Sequence, residues 1–314
     1  MDLVRNYVRR DSPPQSGLCS KQNQREHMED RSFYAAWYAT CSNPTVPRQW
    51  LRYEVYGVLD GHGGLDAVEY VKKWLPWLLA HYVSAALART KVYDPSRMNK
   101  GKIEGAIKRC FVALQEQMRA YNHASPEKDI FEKPFEITGT TVCIMLRNIE
   151  WGWVINLGDS RAILCQRRPK ALTKDHKPQS QEERDRITRL GGSVWAEDQD
   201  VWRVEPVGLA TSRSLGDLDS RRLKDGSVLP HGAYLVSPVP DVRVLRLQKN
   251  HKDRKIYWLL FATDGLWDAV SNQQACLVVA NGKSAALMAK QLVDLAILKK
   301  STDNITVMVV PICV

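Results

Sequence analysis

The chain has 314 residues, of which 44% are hydrophobic and 25% charged, and carries a formal net charge of +10. That is enough apolar material for a large core, yet no run approaches the length of a membrane span: the most apolar region, Trp74 to Ala88, contains Pro76 and His81. Lys and Arg are spread along the whole chain, so no specific nucleic-acid-binding patch is expected, and seven scattered cysteines with no C-x-x-C pair argue against a zinc site or disulfide framework and for a reducing compartment.

In chain order, residues 1–16 contain Pro13-Pro14 and little periodicity, which predicts a flexible lead-in before one domain over 17–314. Met1 to Arg5 lacks an apolar signal core, and Asp2 excludes N-myristoylation. Ser32–Tyr38 reads as a strand and Asn43–Pro47 as a loop. Val55–Leu59 reads as a buried strand ending in Asp60-Gly61-His62-Gly63-Gly64. Glycines there permit open φ values and close approach to a ligand. A carboxylate at a strand end, beside a bare carbonyl and an imidazole, suits a hard metal ion and proton transfer. Asp-Gly is equally common turn chemistry.

Helical spacing follows: Val68, Val71, Leu75 and Leu78 share a face, with a kink expected at Pro76, and Ile103, Ile107, Phe111, Leu114 and Met118 share another. Asn122–Pro134 reads as a polar loop. Thr138–Leu146 and Trp151–Leu157 read as strands, the second ending in Gly158-Asp159. A short polar helix after Pro178 closes at Gly191-Gly192, and 193–209 reads as a flap-like excursion. Leu235-Val236 and Val242–Val244 read as edge strands. Ile256–Ala262 is the most strand-like run and ends in Thr263-Asp264. Ser271 and Gln274 form a capping box, Ser284–Leu298 is a last helix, and Asp303 precedes a final strand, Ile305–Val310. Strands in pairs and helices in pairs argue for a layered α+β fold.

Four apolar strands thus abut an acid, namely Asp60, Asp159, Asp264 and Asp303, and Glu29 and Asp30 precede a fifth. Carboxylates converging at one sheet edge repel one another unless a cation is bound. Oxygen-only ligands favour Mg²⁺ or Mn²⁺ over zinc. The motifs Arg25-x-x-Met28-Glu29-Asp30, Asp60-Gly61-His62-Gly63-Gly64, Gly139-Thr140-Thr141, Asn156-Leu157-Gly158-Asp159-Ser160-Arg161, Asp175-His176-Lys177-Pro178, Gly191-Gly192-Ser193-Val194, Ser212-Arg213-Ser214-Leu215-Gly216-Asp217, Asp264-Gly265-Leu266-Trp267-Asp268 and Asp303-Asn304 follow one another. Together, and in this order, they resemble the metal-dependent serine/threonine protein phosphatases of type 2C, from about Gly17 to the C-terminus.

The resemblance implies a four-layer α-β-β-α sandwich with a binuclear metal site at one end. Asp60 would bridge two Mg²⁺ or Mn²⁺ ions, Gly61 would offer its carbonyl, and Asp264 and Asp303 would complete the pair. Glu29 and Asp30 would act through metal-bound waters, and Asp159 and Asp268 match a weaker third position. Arg25 would grip the substrate phosphate, and His62 would protonate the leaving oxygen. A water activated between the ions would attack directly, without a phosphoenzyme. The substrates implied are phosphorylated proteins, met by an intracellular monomer, cytoplasmic or nuclear. Gly232–Asp241 and Asp264–Trp267 lean towards the Wip1-like (delta) branch, whose long basic flap insertion is absent.

Taken singly, Arg25 could be a surface arginine, and Asp159 and Asp268 could be turn and helix caps. Asp175, Asp217, His27, His176 and His231 read as structural. Cys19 and Arg25 fit the C-x5-R spacing of thiolate phosphatases, but no glycine between them lets amides wrap a phosphate. Gly282-Lys283-Ser284 fails as a phosphate loop because Leu277 stands at the first glycine position. The non-enzyme rival is a pseudophosphatase scaffold, which would be expected to have lost one of Asp60, Asp264 and Asp303.

Overall fold

A computed structural model describes residues 4–40, 46–88, 99–124, 134–197, 201–247 and 256–313. The loop expected at 43–47, the loop expected at 122–134 and the tip of the 193–209 excursion lie partly outside these described residues.

Two antiparallel sheets face each other. The first runs β1 (Val4–Arg10), β3 (Arg31–Ala39), β4 (Arg52–Leu59), β7 (Val142–Arg147), β8 (Trp151–Leu157) and β14 (Asp241–Arg246). The second runs β10 (Pro169–Ala171), β9 (Arg161–Cys165), β15 (Tyr257–Ala262), β16 (Ile305–Ile312) and β2 (Gly17–Lys21). Alternate residues of each strand serve different cores. In β4, Tyr53, Val55 and Leu59 pack under α1 (Asp66–Ala88) and α2 (Lys100–His123), while Tyr56 and Val58 face the second sheet. In β15, Leu260 and Ala262 pack under α5 (Asn272–Ala280) and α6 (Ala285–Leu298), while Leu259 and Phe261 face inward. Strands buried on both faces read as unbroken apolar runs, which is why they stood out. The layers are those of the expected α-β-β-α sandwich.

Three expectations need correction. Val4–Arg10 is a strand rather than a lead-in: Val4 pairs with Ala39 and Arg10 with Tyr34, and Val4 and Tyr7 pack on the helix-side core. Its arginines project from a sheet edge, which hid the apolar pattern. Leu235-Val236 forms no strand. Both residues are buried in a satellite core with Ile187, Val204 and Leu229. Finally, Cys165 and Cys276 form a disulfide. They lie 111 residues apart, and only the packing of α5 beside β9 brings their Cα atoms to 5.2 Å, so spacing could not show the pair. Helix α1 includes Pro76 within its span.

The excursion is a hairpin of β11 (Ser193–Ala196) and β12 (Trp202–Glu205), resting with α3 (Gln181–Arg189) on the satellite core. A short sheet of β13 (Leu215–Gly216), β6 (Gly139–Thr140) and β5 (Gly61–His62) lies where β4 ends.

Candidate active site

The cleft is about 330 Å³ and is lined by the ends of several elements, among them Arg25, Glu29, Asp60, His62, Asp264 and Asp303. Asp60 follows β4, and its carbonyl accepts from Thr141 N at 2.8 Å and Thr140 Oγ1 at 3.1 Å. Gly61 is demanded by crowding: a Cβ there would meet Glu29 O at 2.8 Å and Val68 Cβ at 2.9 Å. Positive φ is needed instead at Gly63 (+73°), where the chain bends into α1. Asp264 opens the four-residue helix α4 (Asp264–Trp267) after β15. Gly265 lets that turn press on the Asp303 loop, since a Cβ would lie 2.0 Å from Asn304 O.

Carboxylate oxygens of Asp60, Asp159 and Asp264 lie within 4.8 Å of one another. Burial, and then the charge of their acidic neighbours, pushes the Asp60 and Asp264 carboxyls well above the usual range. Asp303 and Glu29 line the same cleft. Asp30 does not. It is buried behind the cluster, held up to about 7 by burial first and then by the charges of Asp264 and Asp303. It accepts from Thr263 Oγ1 at 2.9 Å, and its Oδ1 is buried with no hydrogen-bond partner among the described residues. Asp268 also stands outside the lining, one turn beyond Asp264, its carboxyl raised chiefly by burial. Gathered carboxylates with a buried, unsatisfied oxygen behind them fit a hard divalent cation.

Arg25 Nη2 donates to Asp303 Oδ2 at 2.6 Å. His62 Nε2 lies 2.9 Å from both oxygens of Asp217. Burial lowers the His62 pKa, but the charge and hydrogen bonds of Asp217 overcome it and leave it raised. Asp217 is 1% exposed and sits at φ +47° with its N–H on Thr138 O at 2.9 Å; Ser214 Oγ also donates to it. Aspartate is one of the few side chains that tolerates this left-handed region.

From the sequence Asp217 reads as structural and Asn304 carries no role of its own. Asn304 Oδ1 accepts from Glu29 N at 2.7 Å, and its Nδ2 donates to Gln22 O and His27 O, so it fastens the loop carrying Arg25 and Glu29. Arg203 of the hairpin also lines the cleft. The signal available for Asp217 and Asn304 was their place inside motifs that contain other site residues. Asp175 is structural as expected, taking two hydrogen bonds from Arg161.

The family model for protein phosphatase 2C matches residues 15–305. Protein phosphatase 1L of Bos taurus is 32% identical over 294 residues, covering 93% of this chain and 70% of the bovine protein. A probable protein phosphatase 2C of Arabidopsis thaliana is 31% identical over 316 residues, covering 98% and 69%. The crystal structure of a serine-threonine phosphatase 2C from Toxoplasma gondii superposes with a TM-score of 0.72 at 25% identity, covering 98% of this chain and all of that one. Fold and site thus define an enzyme of the protein-serine/threonine phosphatase class. The chain belongs to the protein phosphatase 2C family. These relatives do not single out the delta branch.

Proposed function

We propose that this chain hydrolyses phosphoserine and phosphothreonine esters in proteins, as a monomer, by direct attack of water without a phosphoenzyme. The observation that carries the reading is the meeting of Asp60, Asp159 and Asp264 oxygens within 4.8 Å, in a cleft that also holds Arg25 and His62. Asp60, the Gly61 carbonyl, Asp264 and Asp303 would hold two Mg²⁺ or Mn²⁺ ions. Glu29 and Asp30 would act through intervening waters, and Asp159 and Asp268 would offer a weaker third position. When bound, such ions lower the pKa of a water and offset the charge that builds in displacement at phosphorus. The scaffold alternative is disfavoured because Asp60, Asp264 and Asp303 are all present.

Arg25 offers a planar fork of donors suited to a phosphate. Its side chain is 60% exposed at the cleft mouth, so it can swing from Asp303 to an incoming phosphate. Asp217 fixes the His62 ring and favours its protonated form, the form that can give a proton to a serine or threonine oxygen. Among the described residues no helix is long and apolar enough to cross a membrane. An intracellular setting, cytoplasmic or nuclear, rests on the family resemblance alone, and the Cys165–Cys276 disulfide counts against a reducing compartment.

The test is phosphate release from a phosphoserine peptide and from p-nitrophenyl phosphate, for wild type and His62→Gln. Wild type should release phosphate from both. The variant should lose about 10²–10³-fold on the peptide, whose leaving alkoxide needs a proton, and under about tenfold on the aryl ester. Equal losses would remove His62 from the acid role. No release by wild type would favour the scaffold.

A further inference from the structure

The turn Asp175-His176-Lys177-Pro178 is pinned on both sides of Asp159. Asp175 takes Arg161 Nε at 3.0 Å and Nη2 at 2.7 Å. The buried His176 donates its N–H to Gly158 O at 3.0 Å, and its Nδ1 accepts from Gly158 N at 3.0 Å. Gly158 and Arg161 bracket Asp159, so these anchors deliver the Lys177 ammonium to it: Nζ lies 2.5 Å from Asp159 Oδ2. The Asp159 side chain is 7% exposed and Lys177 29%, so water screens the pair little. Among the described residues neither Asp60 nor Asp264 has an ion pair of this kind; only Asp159 of the three clustered acids carries a fixed cation.

We propose that Lys177 is a built-in counter-ion that competes with a divalent metal for Asp159, and thereby sets the weak affinity of the third metal position. The inference rests on the metal-site reading above. An ion approaching Asp159 must displace the ammonium or bind beside a like charge; of the acids assigned to the two tighter ions, Asp303 pairs with Arg25, whose side chain is 60% exposed and free to swing away, and Asp60 and Asp264 have no ion pair among the described residues. The lysine thus keeps the centre at two tightly held ions and admits a third only when divalent metal is abundant. No bond is made or broken; the ammonium swings from Asp159 towards solvent, through the side of the pair that is already partly exposed.

The experiment is Mn²⁺ binding followed by electron paramagnetic resonance of the free ion, with calorimetry, for wild type, Lys177→Met and Lys177→Gln. Wild type should bind two ions tightly and one weakly. Both variants should bind the weakest ion at least about tenfold more tightly, with the two tighter affinities changed by less than about threefold. Lys177→Arg, which keeps the charge, should retain the weak third site. In an Asp159→Asn background, replacing Lys177 should alter neither tight site. An unchanged or weakened third ion in both neutral variants, with two tight ions still bound, would overturn the counter-ion role and leave the metal-site reading standing. Absence of tight Mn²⁺ binding in wild type would overturn both. Two variants are used because methionine lacks the polar end that the partly exposed position offers and glutamine keeps it; matching circular dichroism to wild type establishes that each has folded.

Discussion

Asp60→Asn should reduce kcat/KM on a phosphoserine peptide by about 10³-fold or more, while the metal-free protein becomes more stable, not less. The two halves have different causes. Asp60 lines the cleft and lies among Asp159, Asp264, Asp30 and Asp303, and in the function proposed above it is the carboxylate that would be shared between ions. Losing several kcal/mol of charge stabilisation, taken as about 4, is close to a thousandfold in rate. Without metal, however, the same carboxylate only adds repulsion to a buried acidic cluster. Burial and those neighbours already push its carboxyl well above the usual range, so the ionised form costs stability wherever the solvent would ionise it. Removing that charge while keeping the shape relieves the cost. In thermal unfolding, the variant should start higher in chelator and gain less on adding Mn²⁺ than wild type, whose gain at a hundredfold excess over Kd is about 2.7 kcal/mol. A variant that melts lower in chelator would contradict the repulsion argument, whatever its activity.

Glu183→Gln should destabilise the fold by about 3–5 kcal/mol without touching the cleft, because it leaves two arginines facing a lost charge. Glu183 is 2% exposed, on α3, and its carboxylate is shared: Arg213 Nη2 reaches Oε1 at 2.5 Å and Arg186 Nη2 reaches Oε2 at 2.9 Å. Arg186 also donates to Tyr234 O and Leu235 O, and Arg213 to Asp241 at 3.0 Å on the edge strand β14. One carboxylate therefore ties α3 and the satellite core to the sandwich. Burial raises the Glu183 pKa, but the bonds and charges of the two arginines overcome it and bring it down to about 2, from an ordinary 4.5. A carboxyl depressed by folding stabilises fully above its unfolded pKa, and that contribution fades as pH falls from 4.5 through 2. Urea unfolding across that window should show wild type losing its advantage over the glutamine variant as the solution becomes acidic. A constant difference between the two at all pH values would place the effect in packing rather than charge.

Three of the acids were legible because each follows a strand buried on both faces. Such strands show as uninterrupted apolar runs, and the runs at Val55–Leu59, Trp151–Leu157 and Ile256–Ala262 point straight to Asp60, Asp159 and Asp264. Partnership across the chain was not legible. His62 and Asp217 are 155 residues apart and meet because the small sheet of β13, β6 and β5 sets Gly216 and His62 on either side of Gly139. Asn304 holds Glu29 across 275 residues, and Cys165 reaches Cys276 across 111. No local pattern encodes such pairs. The edge strand β1 escaped for the opposite reason: five of its seven residues are arginine, asparagine or exposed valine, as suits a sheet border, and among the described residues its apolar contacts are made by Val4 and Tyr7. Gly61 has a reason to be glycine that the sequence did not show. Its bare Cα serves the fit against Glu29 and Val68.

We propose that phosphate-ester hydrolysis here depends on divalent metal held by the clustered aspartates. This dependence is tested most directly by phosphate release from a phosphothreonine peptide, with Mn²⁺ and with chelator, for wild type and Asp264→Ala. Wild type should be active with Mn²⁺ and silent in chelator, with activity restored when metal is returned, and Asp264→Ala should be nearly silent in both. Equal wild-type activity in Mn²⁺ and in chelator, or an Asp264→Ala protein as active as wild type, would contradict the account.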